Sequence, residues 1–310
     1  MDVVSLIVLP ALCGVGIGIF SGLLGIGGGT VMVPAFRLLF DMSPTMSTAT
    51  SMFAIIPTSI SGATQHLRNK TCLPAVGLAA GIGGAFTSPV GVWLAQCSPG
   101  WMVMLAAALV IGYSAFTMLQ KAVKMGASSQ GESSQSSSSQ SSPAQGLHSQ
   151  SSSSQAETQA TAEPLETPAA TSVTSVTSEA APTKTSRRQL ALAAGIGLIA
   201  GVASGYVGVG GGFLMVPLFI SLIGLSMKQA SGTSLIAVMI LAVPGVIEQM
   251  LLGNVNYFAG LAIVAGTVPG AIIGARLVRR VPERALRFIF GGFLAFAAIM
   301  LAVNEFGLIG

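Results

Sequence analysis

Charged residues are scarce in this chain. Only 8% of its 310 residues are Asp, Glu, Lys or Arg, whereas soluble domains have roughly 25%. Hydrophobic residues make up 52% of the chain, and its mean hydropathy is +0.77. A soluble fold cannot bury that much apolar surface, so the composition predicts a membrane protein surrounded by lipids. The net charge of +4 does not indicate a nucleic-acid partner, because the basic residues stand between long apolar stretches.

Cysteine is also scarce. Cys13, Cys72 and Cys97 are scattered without a CxxC pair or a nearby histidine cluster, so neither a disulfide framework nor a metal site is predicted. No cofactor is expected, and no nucleophile and base come together in the apolar segments, so an enzyme is not expected either. The amino terminus has no basic stretch and no Ala-x-Ala site, which predicts that it is mature membrane sequence.

The chain contains an internal repeat. The segment SGLLGIGGGTVMVP from Ser21 to Pro34 returns as SGYVGVGGGFLMVP from Ser204 to Pro217, an offset of 204 − 21 = 183. A duplicated, glycine-interrupted hydrophobic unit is typical of membrane transporters whose substrate site lies where the two copies meet. The same offset pairs Gly14 with Gly197, Thr50 with Thr233, Ser51 with Ser234, Gly62 with Gly245, Gly77 with Gly260, and Gly91 with Gly274.

The repeats occupy residues 1–125 and 188–310. A Ser/Gln-rich linker at 126–187 is predicted to be disordered, because it has almost no large apolar residue. Each repeat opens with a long glycine-punctuated segment, followed by three segments of about 20 residues, the length that crosses a membrane. The fold class predicted is therefore all-α and polytopic, with about 8 to 10 membrane segments. The opening segments are 3–40 and 189–224, and the others are 46–66, 74–95, 101–121, 229–252, 255–278 and 283–303.

The opening segment of each repeat is predicted to be a helical hairpin that turns at its GxGGG stretch. Only this interpretation puts every basic residue except Arg37 on one side of the membrane, as the positive-inside rule requires. Each repeat then makes an odd number of crossings, so the two repeats are expected to be inverted. The protein is placed in the cell membrane, with a cytoplasmic linker and both termini outside. Whether the hairpins cross fully or re-enter stays open.

The glycine turns are the predicted substrate site. Backbone N–H groups at the start of a half-helix, with the helix dipole behind them, bind anions well. The alternative is that the glycines only let helices approach closely, as in GxxxG packing. The candidates for substrate binding are Gly25, Gly27, Gly28, Gly29 and Pro34 in the first repeat, and Gly208, Gly210, Gly211, Gly212 and Pro217 in the second.

Hydroxyl groups at the start of the next helix are further candidates for substrate binding. Thr50 and Ser51 in the first repeat match Thr233 and Ser234 in the second. Their hydroxyls could donate to anion oxygens, or they could bond to backbone, which is common for Ser and Thr in membrane helices.

A polar pair recurs further along these helices. The 183 offset aligns Gln65 and His66 with Glu248 and Gln249. Glu248, His66 and Gln249 are therefore candidates for coupling transport to protons, since an ionisable residue in an apolar helix is usually functional and imidazole titrates near neutrality. The alternative is an interfacial pair that reaches toward the headgroups.

The doubled Gly-x-x-Gly-x-Gly-Gly-Gly-x-x-x-Val-Pro motif, followed by Thr-Ser, resembles the sulfite exporter TauE/SafE family, also called the toluene sulfonate uptake permease family. The resemblance implies a secondary permease for sulfur-containing anions such as sulfite, thiosulfate or organosulfonates, commonly an exporter. An anion channel, or a permease for another small metabolite anion, is the alternative. The partners expected are a small anionic substrate and lipids; a homo-oligomer and a partner for the linker stay open.

Overall fold

The computed structural model describes residues 3–135 and 186–305, and every regular element within these ranges is helical. Within the described residues, the segments 3–128 and 186–305 form one compact unit. Six of the described helices are long and apolar enough to cross a membrane. The predicted all-α membrane class is therefore confirmed. Residues 136–185, most of the predicted linker, lie outside the described residues.

The first repeat contains five helices. A proline in the first turn starts α3 and α4, where the missing N–H costs nothing, and the Ser43 hydroxyl caps α3 by accepting from the Met46 N–H. The helix α5 continues into the first residues of the predicted linker. The helices are α1 (Val3–Leu24), α2 (Gly29–Phe40), α3 (Pro44–Arg68), α4 (Pro74–Gln96) and α5 (Gly100–Gln135).

The second repeat has the same order of helices, and most of them begin 183 residues after their counterparts. A capping box between Ser226 and Gln229 starts α8. One difference follows α7, where the chain passes into a π-helical turn, Phe219–Ile223. The helices are α6 (Arg187–Val207), α7 (Gly212–Leu218), α8 (Met227–Leu251), α9 (Tyr257–Leu277) and α10 (Glu283–Glu305).

Helices of one repeat pack closely and in parallel against helices of the other. A Cβ atom on Gly14 of α1 would lie 2.5 Å from the Ile263 carbonyl oxygen of α9, and one on Gly22 would meet that of Ala271. The equivalent pair, α4 and α6, has the same geometry: a Cβ on Gly83 would lie 2.5 Å from the Ala194 oxygen. Glycine is needed at these positions because the backbones touch.

The centre of the molecule is formed by α3 and α8, which are equivalent helices and run antiparallel. A Cβ on Gly62 of α3 would lie 3.0 Å from Leu235 of α8. Ten residues further along α8, a Cβ on Gly245 would lie 2.6 Å from Met52, which stands ten residues earlier in α3 than Gly62. The sequence numbers rise in one helix as they fall in the other, so α3 and α8 run in opposite directions.

The outer surface is apolar. Phe86 on α4 and Tyr113 on α5 are 77% and 68% exposed, and Leu109 and Phe116 on α5 are also exposed. Large apolar side chains exposed in such numbers on helices of membrane-spanning length are the surface that lipid tails cover.

Candidate functional site

The glycine runs break the opening segment of each repeat into two helices. We name Gly25–Gly28, between α1 and α2, turn one, and Gly208–Gly211, between α6 and α7, turn two. Gly25 and Gly208 have φ angles of +77° and +73°, a left-handed conformation that glycine adopts without strain. Three of the four residues in each turn have positive φ. The breaks fall in the GxGGG stretches, where the sequence predicts them.

The two turns pack directly against each other. A Cβ on Gly29 would lie 2.5 Å from the Val209 carbonyl oxygen, and one on Gly212 would lie 2.7 Å from the Gly25 oxygen. Ile55 of α3 and Val238 of α8, which are equivalent residues, contact both turns. Non-helical backbone from both repeats therefore meets near the middle of the two central helices.

The hydroxyls predicted to bind substrate tie each turn to the other repeat. Ser51 Oγ donates to the Gly208 carbonyl oxygen (2.5 Å), and Ser234 Oγ donates to the Gly25 oxygen (2.6 Å). Gly208 and Ser234 are the counterparts of Gly25 and Ser51 at the 183 offset, so these are two equivalent bonds, in each of which a serine of one repeat donates to a glycine of the other. Each turn is held by the central helix of the opposite repeat.

The neighbouring threonines make a second reciprocal pair. Thr50 Oγ1 accepts from the Asn256 N–H (3.0 Å), and Thr233 Oγ1 accepts from the Leu73 N–H (3.0 Å). In this conformation the four predicted hydroxyls all bond to backbone across the repeat boundary. That these hydroxyls bind substrate stays a prediction, and it requires them to exchange their bonds to backbone for bonds to the anion.

The start of α2 offers unpaired amide groups. Its N-cap residue, Gly28, is left-handed and makes no side-chain cap. The Ile26 and Gly27 amides lie outside both helices, and within the described residues they have no backbone hydrogen-bond partner. Unpaired N–H groups at the positive end of a helix attract an anion. Every residue from Ser21 to Thr30 is buried, so the turn is closed off in this conformation.

Three buried hydroxyls beside turn one were not predicted from the sequence. Ser21, Thr30 and Ser59 are fully buried, and their hydroxyls have no hydrogen-bond partner. Ser59 Oγ lies 3.4 Å from the position that a Cβ on Gly27 would take. Ser21 has a counterpart in Ser204 at the repeat offset, a signal that could have found it. Thr30 and Ser59 have no such counterpart.

His66 lies apart from the other two candidate coupling residues, Glu248 and Gln249, which are consecutive near the end of α8. His66 is fully buried, and its Nε2 lies 2.8 Å from the Gly22 carbonyl oxygen, at the end of α1 just before turn one. Its Nδ1 lies 2.8 Å from Thr71 Oγ1. A neutral ring that donates from Nε2 and accepts at Nδ1 satisfies both contacts.

Gln249, the counterpart of His66, is also buried and accepts from the Asn254 side chain (2.8 Å). Glu248 is half-buried near the end of α8, and its Oε2 is buried without a partner. Among the described hydrogen bonds of the three candidates, the one from His66 to Gly22 reaches a segment that leads into a glycine turn.

The two prolines that follow the turns have different surroundings. The helix α2 runs through Pro34 to Phe40 without a break, although a proline inside a helix removes a backbone hydrogen bond and usually kinks or breaks it. In the second repeat α7 ends at Leu218, one residue after Pro217, and the π-helical turn follows. Such π-helical segments are frequent at functional sites.

Known proteins resemble this chain over most of its length. The family described as sulfite exporter TauE/SafE matches residues 10–301. The probable membrane transporter protein YunE of Bacillus subtilis is 25% identical over 296 residues, 93% of each chain. YdhB, another probable membrane transporter protein of that organism, is 25% identical over 272 residues, 87% of this chain and 90% of its own.

A plant protein gives a more local match. The sulfite exporter TauE/SafE family protein 3 of Arabidopsis thaliana is 30% identical over 122 residues, 39% of this chain and 25% of that protein. No solved structure matches. The family match, the helix lengths and the apolar outer surface agree with each other. The chain therefore belongs to the sulfite exporter TauE/SafE family and is a multi-pass membrane transporter.

Proposed function

We propose that this protein is a secondary transporter that moves small sulfur-containing anions, such as sulfite, thiosulfate or organosulfonates, out of the cell across the cytoplasmic membrane. The family description supports a sulfur anion and export. The observation that supports the mechanism is the meeting of two helix breaks, one from each repeat, near the middle of α3 and α8. Non-helical backbone at membrane depth is tolerated where it is enclosed by protein or lines a solvent-filled site.

The proposed architecture is a pair of inverted repeats. Its support is that the equivalent helices α3 and α8 are antiparallel, whereas α1 is parallel to α9 and α4 to α6. In each repeat the first helix, α1 or α6, crosses the membrane. The glycine turn and the short helix bring the chain back toward the side from which it came, and three full-length helices follow. The short helices account for the range of 8 to 10 segments.

One end of the helix bundle is basic. Arg276 at the end of α9 donates to Gln65 near the end of α3 (3.4 Å), and Lys228 at the start of α8 donates to the Arg279 carbonyl oxygen (3.3 Å). Arg287 at the start of α10 forms a 2.9 Å ion pair with Glu283. By the positive-inside rule we assign this end to the cytoplasm, with the linker there and the termini outside.

The burial of the turns favours a transporter over the alternative of an anion channel. Residues Ser21–Thr30 and Val207–Phe213 are all buried, as expected for an occluded state between outward and inward opening. A conducting channel needs a continuous solvent-filled path past its selective site. Transport through this structure therefore requires movement of α2 and α7, the short helices that follow the turns.

Radiolabelled sulfite flux from proteoliposomes tests the proposal. We expect saturable flux with competition by thiosulfate and sulfonates, and counterflow when unlabelled sulfite is placed on the opposite side. Counterflow separates a carrier from a channel, because only a carrier exchanges one bound ion for another. Wild-type protein that is folded but moves no sulfur anion would overturn the proposed substrate class.

Gly28→Ala tests the turn itself. A Cβ there would meet the flexible end of Met32 at 3.0 Å, so the protein is expected to fold. We expect flux to fall at least about tenfold, because alanine strains the left-handed residue that precedes α2 by about 1–2 kcal/mol and so disturbs the backbone amides of turn one, whereas the same strain at Gly224 lies outside the turns. Gly224→Ala is the matched control, with φ of +79° and nothing within 4 Å. Equal flux in both variants would remove the turn from the site.

A further inference from the structure

The two glycine turns differ in their polar surroundings, although their backbones are equivalent. Turn one is flanked by three fully buried hydroxyls without a partner, those of Ser21, Thr30 and Ser59. Beside turn two, Ser204 is of this kind; Ser88, which is likewise buried without a partner, packs against Gly205 before the turn, but its hydroxyl lies beside Gly245 of α8. At the positions equivalent to Thr30 and Ser59, the second repeat has Phe213 and Ala242. The difference therefore comes from side chains and not from the backbone.

Unpartnered buried hydroxyls require an explanation. Each loses its hydrogen bonds to water without gaining one from protein, and native proteins contain few such groups. Two of these three hydroxyls have apolar residues at the equivalent positions of the second repeat, so the packing of this fold does not require a hydroxyl there. A ligand that accepts hydrogen bonds would offset the cost.

The hydroxyls stand around a helix N-terminus. Ser59 Oγ lies 3.4 Å from the Cβ position of Gly27, and Ser21 Cβ lies 3.4 Å from that of Gly28. Thr30 is the second residue of the 12-residue helix α2. The Ile26 and Gly27 amides add two unpaired N–H donors within the described chain. The buried Ser59 hydroxyl directed at the turn distinguishes this N-terminus from an ordinary one.

We propose that turn one, and not turn two, supplies the side-chain ligands of the transported anion, the Ser59 and Thr30 hydroxyls, and that the backbone amides before α2 bind the anion together with them. This inference rests on the proposed function and narrows it. The donors are neutral and the turn is enclosed, which fits a small inorganic oxyanion with several acceptor oxygens. An aryl or alkyl sulfonate would have to place its apolar group within the same buried turn.

Turn two then has a different part in the cycle. Phe213 is fully buried at the position equivalent to Thr30 and fills the space with an aromatic ring. The short helix that follows turn two, α7, has 7 residues, whereas α2, which follows turn one, has 12. We assign turn two to closing the site against turn one, through the backbone contact of Gly212 with Gly25.

Sulfite flux through the full-length protein in proteoliposomes tests this assignment. Ser59→Ala and Thr30→Val are expected to raise the half-saturating sulfite concentration by about tenfold to a hundredfold, since a hydrogen bond to a charged group is lost. Thr30→Ser keeps the hydroxyl and is expected to stay within about threefold of wild type. Thr30→Val keeps the shape of the side chain, so it also guards against loss of folding.

Ser114→Ala is the matched control, because Ser114 is a buried hydroxyl on α5 that likewise has no partner. Ser204→Ala removes the equivalent of Ser21 beside turn two. Both are expected to transport like wild type. Unchanged half-saturation in Ser59→Ala and Thr30→Val, in a wild type that transports sulfite, would overturn the inference and leave the proposed function standing. An equal loss in Ser204→Ala would also overturn it.

The thermal stability of the purified protein with added anions tests the anion site without a measurement of transport. Sulfite, sulfate, nitrate and phosphate are each added, and a stabilisation of wild type that is lost in Thr30→Val supports the site even if no sulfur anion is transported. If none of these anions stabilises wild type, the site is wrong. Stabilisation by sodium ions alone that disappears in the same variant would identify a cation site and overturn the proposal.

Discussion

Replacing Gly25 by alanine is expected to destabilise the protein more than any matched substitution outside the turns. Gly25 has φ of +77°, which costs a residue with a Cβ about 1–2 kcal/mol. The new methyl group would also lie 2.5 Å from Ser234 Oγ and still closer to the Ser231 carbonyl group of α8. Overpacking of this kind costs about 1–3 kcal/mol, so the total is about 2–5 kcal/mol.

Three further glycines separate the two contributions. Gly208→Ala is expected to match Gly25→Ala, because its methyl group would meet Thr48 in the equivalent contact. Gly224 has φ of +79° with nothing within 4 Å, so alanine there costs only the backbone strain, about 1–2 kcal/mol. Gly195 is helical with open space around it, and alanine there is expected to stabilise the protein by about 0.5–1 kcal/mol.

The assay is thermal unfolding of the four purified variants in one detergent. The measured quantity is the fraction of protein that still elutes as a single species after heating. We expect the midpoint to fall in the order Gly195, Gly224, then Gly208 and Gly25 together. Gly25→Ala as stable as Gly224→Ala would refute the close contact between turn one and α8. A large difference between Gly25→Ala and Gly208→Ala would refute the equivalence of the turns.

Two further predictions concern single side chains. The variant His66→Gln is expected to fold, since Gln249 occupies the equivalent position. It is expected to lose the substrate accumulation that a pH gradient drives, while keeping counterflow. If Glu248→Gln gives this result instead, Glu248 is the coupling residue. Burial raises the pKa of the Cys72 thiol, between α3 and α4, to about 11, so its alkylation at neutral pH is expected to be about a hundredfold slower than in unfolded protein. Mass spectrometry measures this rate, and equal rates would contradict the burial of Cys72.

The sequence was sufficient to locate the helix breaks. The GxGGG runs around Gly27 and Gly210 stand in segments too long for one crossing, and their repetition indicates a shared structural role. It was not sufficient to assign the hydroxyls that follow. The 183 offset aligns Ser51 with Ser234, but alignment within a repeat does not reveal that each residue bonds to the opposite turn. That contact depends on how the two repeats dock.

The prolines illustrate a second limit. Pro34 and Pro217 are aligned and have the same local sequence, Met-Val-Pro, yet only the second precedes a π-helical turn. Ser221 donates to the Pro217 carbonyl oxygen (2.6 Å), a bond that Leu38 at the equivalent position cannot make. Lys121 of α5 in turn bonds to Ser221. A tertiary contact with the first repeat thus accompanies the different helix geometry, and no local pattern predicts it.

The reciprocal bonds bear on how the proposed transporter would open. Turn one is held by Ser234 and turn two by Ser51, each from the opposite repeat, and the turns also touch through Gly29 and Gly212. A movement of turn one away from α8 therefore breaks its own bond and removes the contact that supports turn two. Because the same bond is made in both directions, the two turns are expected to rearrange together. A carrier needs such linkage, since its two openings must exclude each other, whereas a channel does not.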